Sequence, residues 1–287
     1  MNGKMDFTLR TYEKLIRALQ TQGFSFQTFA DYSEDKAKAK VEVKVKGDAA
    51  QPQPEPQPLI LLRHDVDLLP GNSLATAKLE HALGIKGSYY FRAVPESWDE
   101  RIIREIAALG HEIGYHYESL TTCNGDMEKA YHDFTANLEK LRRLAPVSTI
   151  CMHGSPRSPW DSKDLWKHYD YRSLGITGEP YFDTDFSEFF YLTDTGRRWD
   201  GWKFSVRDKI PVHQDRWIAQ GLVFQHTADI IKATRAGTLP PRVMITVHPQ
   251  RWNDAFLPWA KELLWQNVKN QGKLVLVFLR SEVESRK

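Results

Sequence analysis

The sequence predicts an α/β fold built around a parallel β-sheet. From residue 59 onward strand-like and helix-like segments alternate, an order typical of parallel strands joined by right-handed crossovers. The apolar run LILL (59–62) does not alternate with polar residues, as expected for a strand buried on both faces. Several predicted strands also end on carboxylates or imidazoles, at the edge where such folds bind ligands. A barrel and an open doubly wound sheet both satisfy these observations.

The N-terminal segment precedes this alternating region. Residues 7–20 have the apolar spacing of an amphipathic helix, and FSFQTF (24–29) alternates like a short strand. Residues 34–58 differ from their surroundings and are predicted to be a charged, Pro-rich insertion or flexible loop. Within it, VEVKVK (41–46) fits either a β-hairpin arm or a flexible surface segment, and QPQPEPQP (51–58) should be extended and solvated.

The alternating region supplies five predicted strands with helices between them. The strands are LILL (59–62), GSYYFR (87–92), HEIGYHYE (111–118), STICMHG (148–154) and RVMITVH (242–248). Ser73 and Asp126 are predicted to cap two of the helices, and residues 99–109 form another. Near the C-terminus, residues 255–270 are predicted to be helical. KLVLVFL (273–279) fits either a strand or a continuation of that helix.

Composition indicates a globular protein, and we predict a single domain over residues 1–287. Of these residues 41% are apolar and 12% aromatic, enough for a sizeable core. The net charge is +2, with 39 basic and 37 acidic residues well mixed. No broad field therefore favours a nucleic acid or an anionic membrane as partner.

Cysteine usage and the absence of long apolar runs predict a cytoplasmic location. The two cysteines, Cys123 and Cys151, form no CxxC motif and are interpreted as reduced thiols. The N-terminal residues lack the apolar core of a secretory signal, and no run approaches the ~18 apolar residues of a membrane span. We therefore expect no membrane insertion.

Polar side chains cluster where the predicted strands end. Arg63, Asp65 and Asp67 share one face of their strand, because side chains two residues apart point the same way. On HEIGYHYE, the face of His116 also carries Glu118. Two further strand ends deliver single imidazoles, His153 and His248.

Clustered carboxylates repel one another unless a cation or a shared proton offsets the repulsion. Aspartate and histidine with an open coordination position suit a catalytic divalent metal such as Zn²⁺. Asp65 and Asp67 can then divide two tasks, metal ligand and general base, while a histidine returns a proton to the leaving group. The structural alternatives are a strand-end salt bridge with Arg63 and a hydrogen-bonded core position for His116. His64 and His111 are predicted to be structural.

The segment FFYLTDTGRRWDGW (189–202) is a candidate for substrate contact. It ends a predicted strand on Asp194 and then carries Trp199, and aromatic rings beside polar groups suit sugars. Asp194 and Trp199 are therefore predicted to bind substrate. Arg63, on the face of Asp65 and Asp67, is predicted to bind substrate as well. The alternative is an ordinary loop whose tryptophans pack on the domain.

Five motifs, taken in order, resemble those of the polysaccharide deacetylase family, also described as NodB-homology or carbohydrate esterase family 4 proteins. They are RHDVD (63–67), SYYF (88–91), GHEIGYH (110–116), CMHGSP (151–156) and ITVHP (245–249). GHEIGYH is the most specific of them. The resemblance implies a distorted (β/α)7 barrel and metal-dependent removal of N-acetyl or related acyl groups.

The resemblance also implies residue roles. Asp65 would be the general base, Asp67 and His116 metal ligands, and His248 the general acid. The family usually has a second histidine four residues after the first, and here that position is Leu120. The third ligand is therefore expected to be His153, with Glu118 as the alternative or as an outer partner.

These roles imply a cytoplasmic hydrolase, with Zn²⁺ the expected metal, that acts on an N-acyl sugar or glycan precursor in surface-polysaccharide biosynthesis. A hydrolase of a small cyclic amide or imide on the same fold is the second hypothesis. The third is a catalytically inactive glycan-binding protein, which the loss of histidine at position 120 favours. The sequence does not determine the oligomeric state.

Overall fold

The computed structural model describes residues 5–46, 57–155, 158–203, 205 and 207–284. Numbered in chain order, the strands are β1 (Ser25–Gln27), β2 (Leu59–Val66), β3 (Ser88–Phe91), β4 (Glu112–Tyr117), β5 (Ile150–Met152), β6 (Phe190–Thr193) and β7 (Arg242–Val247). The helices are α1 (Leu9–Thr21), α2 (Phe29–Lys46), α3 (Pro70–Ala82), α4 (Glu100–Ala108), α5 (Ser119–Thr122), α6 (Met127–Arg142), α7 (Pro180–Asp183), α8 (Pro211–Ala219), α9 (Thr227–Arg235) and α10 (Phe256–Glu284). Short 3₁₀ turns lie at Ser162–Lys167, Tyr171–Leu174, Gly201–Lys203 and Pro249–Arg251.

The strands form one sheet in which each pairing is parallel. Their order is β5-β4-β3-β2-β7-β6, and β1 pairs with the first half of β2. The sheet curls into a half barrel, and within the described residues β5 and β6 are not paired with each other. The predicted α/β class with a barrel-like parallel sheet is therefore confirmed, with the barrel open between β5 and β6.

Strand β2 lies at the centre of the sheet. Its eight residues are all buried, as the non-alternating run LILL predicts. β3 and β7 flank it in register, so that Arg63 lies opposite Ser88 on one side and Thr246 on the other. One apolar cluster packs α1 and α9 against β2, β6 and β7, and a second packs α4 and α6 against β3, β4 and β5. The carboxyl end of β2 therefore lies between the ends of its neighbouring strands, near the middle of the sheet.

Two predicted helix starts differ in outcome. Asp126 caps α6 as predicted, because its side chain accepts a hydrogen bond from the backbone N–H of Lys129. Helix α3, however, begins at Pro70 instead of following a cap at Ser73. The residue before it, Leu69, has φ 54° and allows the turn, and proline suits the first helical position because its φ is already helical.

The predicted insertion at 34–58 is in part an ordinary helix. Residues 34–46 belong to α2, so the hairpin or loop predicted for VEVKVK is wrong. Alanine, lysine and glutamate are strong helix formers, and Lys38 lies 3.8 Å from Glu34 one turn away. Residues 47–56, with most of the proline-rich run, lie outside the described residues.

The C-terminal ambiguity is resolved as a helix. α10 runs from Phe256 to Glu284 and includes 273–279, so the strand alternative for KLVLVFL is wrong. Among the helices described, none has both the length and the apolarity needed to cross a bilayer. Cys123 and Cys151 are both free thiols, as predicted.

Candidate metal centre

The carboxyl ends of four strands bring together the polar residues that the sequence singles out. Asp65 and Asp67 lie at the end of β2 or just beyond it, and His116 lies on β4. His153 follows β5, and His248 follows β7. The register of β4 and β5 pairs His116 with Cys151 and so places His153 beside it.

Three of these side chains turn one ligand atom each toward a common point. Nδ1 of His153 lies 3.1 Å from Oδ1 of Asp67 and 3.3 Å from Nε2 of His116. The third separation, from Nε2 of His116 to Oδ1 of Asp67, is 3.6 Å. A tetrahedral cation with ligands at about 2.0–2.1 Å holds neighbouring ligand atoms roughly 3.3 Å apart. The three side chains therefore fit a small divalent cation such as Zn²⁺.

His116 is held in the tautomer that a metal ligand needs. Its Nδ1–H donates a 2.9 Å hydrogen bond to the carbonyl oxygen of Cys151, which leaves Nε2 unprotonated on the side of the site. Burial lowers the pKa of His116 to about 4, and His153 adds to this, although Asp65 and Asp67 act in the opposite direction. The imidazole is therefore neutral near neutral pH.

One carboxylate oxygen of Asp67 lacks a hydrogen-bond partner among the described residues. Its Oδ1 is buried and accepts no hydrogen bond of good geometry, although two imidazole nitrogens lie close to it. Its other oxygen accepts a 3.2 Å hydrogen bond from Nε2 of Gln250. Burial opposes ionisation, but His153, His248 and His116 hold the pKa of Asp67 well below its usual range. An ionised, unpaired oxygen between two imidazoles suits a bound cation.

Glu118, the alternative third ligand, lies on the side of His153 that faces away from Asp67. Its Oε1 accepts hydrogen bonds of 2.9 and 2.6 Å from the guanidinium of Arg92. Its Oε2 lies 3.8 Å from Nε2 of His153, the ring atom that faces away from Asp67. Glu118 therefore lies near His153 beyond hydrogen-bond distance, and it is absent from the ligand groups formed by the described residues.

A second group of ligand atoms shares His116 and consists of Asp65, His116 and Cys151. It fits a cation less well. Both oxygens of Asp65 already accept hydrogen bonds from Arg63, and burial raises the pKa of the Cys151 thiol well above its usual value. A protonated thiol and a paired carboxylate are poor ligands.

Arg63 is paired within the protein, although its Nη1 has no hydrogen-bond partner among the described residues, and its predicted contact with substrate stays a prediction. The guanidinium is buried and donates to both oxygens of Asp65, at 2.8 Å from Nε and 2.6 Å from Nη2. Its face also lies over the ring of Tyr181, 4.9 Å from the centroid. Burial opposes ionisation of Asp65, but Arg63 and His116 lower its pKa. The strand-end salt bridge, left open by the sequence, is what the structure contains.

Asp194 has a different place from the one predicted. It is fully buried behind His248, whose Nδ1 lies 2.6 Å from its Oδ1. The same carboxylate accepts hydrogen bonds from Arg251 at 2.7 Å and from the indole of Trp252 at 2.7 Å. Its oxygens are thus occupied by protein donors, and the prediction of substrate contact is wrong.

The orientation of His248 follows from that contact. With Nδ1 on Asp194, its Nε2 faces the site and lies 4.0 Å from Oδ2 of Asp65 and 3.9 Å from Oδ2 of Asp67. Burial and Arg251 act to lower the pKa of His248, but Asp194 and Asp67 outweigh them and raise it. A histidine with a raised pKa can deliver a proton at neutral pH.

Trp199 is the second substrate prediction that the packing contradicts. Its ring is buried in an aromatic cluster, 6.2 Å from Phe7 and 6.0 Å from Trp252 between centroids. Its Nε1–H donates a 2.9 Å hydrogen bond to Oγ1 of Thr227. The alternative, a loop whose tryptophan packs on the domain, is correct for this residue.

Sequence reasoning missed several residues around the site. Arg92 ends the predicted strand GSYYFR, so the strand-end rule could have found it. Gln250 and Arg251 follow His248 closely and could have been grouped with it. Asp208 lies in an irregular segment without a motif, yet its carboxylate accepts hydrogen bonds from Thr193 at 2.7 Å and Thr195 at 2.5 Å.

Comparisons with known proteins give structural neighbours only. No protein-family model and no curated protein matches the chain. Among solved structures, PdaA of Bacillus subtilis, a family 4 carbohydrate esterase, matches at 13% identity and a TM-score of 0.38, over 82% of this chain and 84% of its own. BA3943 of Bacillus anthracis, a CE4 family pseudoenzyme, matches at 13% identity and a TM-score of 0.36, over 78% of this chain and 66% of its own.

A mutant of BA3943 described as having restored enzymatic activity matches at 12% identity and a TM-score of 0.35, over 78% of this chain and 68% of its own. These neighbours are of the same family that the sequence motifs resemble. At such identities and TM-scores, the functional argument depends on the residues of this chain.

Proposed function

We propose that this protein is a divalent-metal-dependent hydrolase that removes an N-acetyl or related acyl group from a sugar or glycan precursor. One observation carries the proposal. Oδ1 of Asp67, Nε2 of His116 and Nδ1 of His153 lie 3.1–3.6 Å from one another, with Asp65 and His248 beside them. The N-acyl sugar substrate is the part that comes from the resemblance of the motifs.

Asp67, His116 and His153 would hold the metal. One carboxylate and two imidazoles are the donor types that Zn²⁺ prefers in catalytic sites, where a further position stays open. When bound, the cation supplies Lewis-acid polarisation of the acyl carbonyl and lowers the pKa of a water molecule. Leu120 is buried in the core, and His153 would supply the imidazole that the family pattern places at position 120.

Asp65 and His248 would perform the proton transfers. Asp65 is kept ionised by Arg63 and takes the proton of the attacking water. His248 carries a proton on Nε2, supported by Asp194 on the other side of the ring, and gives it to the departing amine. The 4.0 Å between the two side chains lets both reach one reacting amide.

The decisive experiment separates the base from the ligands. Asp65→Asn should reduce release of acetate from N-acetylated amino sugars at least about a thousandfold, because the proton acceptor is lost. The variant should still bind one zinc per chain by elemental analysis, since Asp67, His116 and His153 are unchanged. Asp67→Asn should lose both activity and metal.

Asp215→Asn, at an exposed carboxylate of α8, is the matched control and should change neither quantity. Wild-type activity in Asp65→Asn would remove Asp65 from the mechanism. If acetate is not released but a small cyclic imide is opened, the second hypothesis replaces the first. Protein that binds no zinc and hydrolyses nothing, but retains sugars, would be the glycan-binding alternative.

A further inference from the structure

Over residues 256–272, helix α10 is amphipathic in the reverse of the usual sense. Its inner face is polar: Gln266 and Asn270 are buried, and Nδ2 of Asn270 donates a 3.0 Å hydrogen bond to the carbonyl oxygen of Gly196. Trp259 anchors the start of the helix, because its indole donates to the carbonyl oxygen of Asp6 at 2.6 Å and its own carbonyl accepts from Arg197 at 2.7 Å. The helix is thus held to the body mainly through polar contacts.

The outer face of α10 is apolar. Leu257, Leu264 and Val268 are exposed by 78%, 69% and 64%, and Trp265 beside them by 54%. The first three are seven and four residues apart, so they lie along one side of the helix. We call these four residues the α10 stripe. Isolated exposed apolar residues need no explanation, but a contiguous set on one helix marks an interaction surface.

The charged residues of α10 indicate which kind of partner the α10 stripe binds. Helix α10 contains four basic and three acidic residues, and Glu262 is the only acidic residue among positions 256–272. Lys261 stands exposed between Leu257 and Leu264, and Lys269 lies 5.1 Å from the centroid of the Trp265 ring. The acidic residue nearest the stripe, Glu262, is half-buried and accepts a hydrogen bond from Gln266 of the inner face. The outward face therefore combines apolar surface with positive charge.

We propose that α10 binds the surface of an anionic lipid bilayer, with the α10 stripe among the acyl chains and Lys261 and Lys269 at the headgroups. Interfacial helices of this kind lie in the plane of the membrane, with tryptophan and leucine on one side and lysine reaching the phosphates. A second copy of the chain fits less well, because a symmetric contact between two such helices would bring the lysines beside the two stripes together.

The helix would lie on the membrane without crossing it, since no described helix is long and apolar enough to span a bilayer. Through Asn270 the inner face contacts Gly196, two residues after Asp194.

The test is co-sedimentation of the full chain with lipid vesicles. Wild-type protein should bind vesicles of equal parts phosphatidylglycerol and phosphatidylcholine at least about tenfold more strongly than phosphatidylcholine alone, and high salt should weaken the binding. Leu264→Glu with Val268→Glu should reduce binding to the anionic vesicles by roughly tenfold or more. Lys261→Glu with Lys269→Glu should abolish the preference for phosphatidylglycerol.

Val212→Glu is the matched control, because Val212 is 88% exposed on α8, away from the stripe, and should leave binding unchanged. Far-UV circular dichroism and thermal melting should be the same for all variants, since the replaced side chains point outward. Equal binding by wild type and the stripe variant, or no binding by either, would overturn the proposal. So would a stable dimer in light scattering that Leu264→Glu dissociates, which would assign the stripe to a second copy.

Discussion

At the scale of single residues, the proposed site takes its third ligand from a position that the motifs do not predict. The resembled family pattern has a histidine at position 120, but here Leu120 lies in α5 and is buried in the core. His153, after the neighbouring strand β5, supplies an imidazole whose Nδ1 is 3.1 Å from Asp67. Parallel strands end at the same edge, so a ligand lost from one strand can be replaced from the next.

His153→Ala should therefore reduce zinc affinity roughly a thousandfold or more, because one of three ligands is removed. Glu118→Gln should reduce it by about 10–100-fold, the usual effect of losing an outer partner. Competition with a chelator measures both. His168→Ala, at an exposed histidine, is the control. Retention of zinc by the His153 variant together with its loss from the Glu118 variant would assign the third ligand to Glu118.

His248 determines the alkaline limit of the proposed reaction. A general acid must be protonated, so activity should fall as pH rises through its pKa, which Asp194 raises against the effects of burial and Arg251. Asp194→Asn should lower that pKa and move the alkaline limb of kcat/KM to lower pH. Arg251→Gln should move it to higher pH, because the repelling guanidinium is removed.

The opposite signs of these two shifts separate electrostatics from a general loss of structure, which would not move the limb in both directions. Thermal melting shows which variants remain folded. An alkaline limb that stays at the same pH in both variants would remove His248 from the role of general acid.

At the scale of elements, strand β2 uses its two faces for different purposes. Arg63 and Asp65 point into the barrel, whereas His64 points outward to Glu80 of α3, with Nε2 2.8 Å from Oε1. Glu80 also accepts hydrogen bonds from Tyr12 of α1 at 2.5 Å and Tyr89 of β3 at 2.8 Å. His64 is thus structural, as predicted. So is His111, which accepts from the backbone N–H of Gly87 and contacts the carbonyl oxygen of Ala77.

Glu80→Gln should lower the free energy of unfolding by roughly 3 kcal/mol, because it removes a buried charge from partners that stay buried. Burial opposes ionisation, but His64 and His111 lower the pKa of Glu80 in the folded protein. The carboxylate therefore contributes its full stabilisation above its unfolded pKa of 4.5. The stabilisation is lost as the pH falls through the lower pKa of the folded protein. Urea unfolding at pH 7 and at pH 3 should show the difference between wild type and variant shrinking at the lower pH.

Glu13→Gln on α1 is the control, since Glu13 forms only a surface pair with Arg17 and should change stability by about 0.5 kcal/mol or less. Equal stability of Glu80→Gln and wild type at pH 7 would contradict the expectation that the Glu80 carboxylate stabilises the packing of α1 and α3 on β2.

At the scale of the whole molecule, side chains close the gap that the strands leave between β5 and β6. Glu179 accepts a 3.0 Å hydrogen bond from the backbone N–H of Met152 on the free edge of β5. Tyr181 donates to Asp208 at 3.1 Å, and Asp208 also binds the end of β6 through Thr193. Arg207 donates to the carbonyl oxygen of Ser158 at 2.7 Å and so ties the segment after β6 to the loop after β5. These loop contacts bridge the opening, and within the described residues no strand pairing joins β5 to β6.

The whole molecule also separates two surfaces. The candidate metal centre is built from strand ends, whereas the proposed lipid contact lies on a helix that follows the last strand. They meet at the segment after β6, where Asn270 of α10 contacts Gly196 and Asp194 supports His248. A near-neutral chain can therefore carry a locally basic surface beside its site.

Much of the site could be predicted from the sequence because strand-end rules depend on local order alone. Asp65, Asp67, His116, His153 and His248 each end a recognisable strand, and the structure brings these five together. The failures were Asp194 and Trp199, which were taken to face a substrate. Protein donors occupy the oxygens of Asp194 and other aromatic rings surround Trp199, and sequence position alone does not reveal such packing.

By itself, the sequence determined the α/β class, the central buried strand and the edge where polar side chains gather, because apolar periodicity and strand ends are local properties of the chain. Only the tertiary structure decided that His153 stands within ligand distance of Asp67 and His116, and that the barrel remains open between β5 and β6. It also decided that α10 turns its apolar side outward. These features depend on how distant segments pack, and packing is set by the whole chain at once.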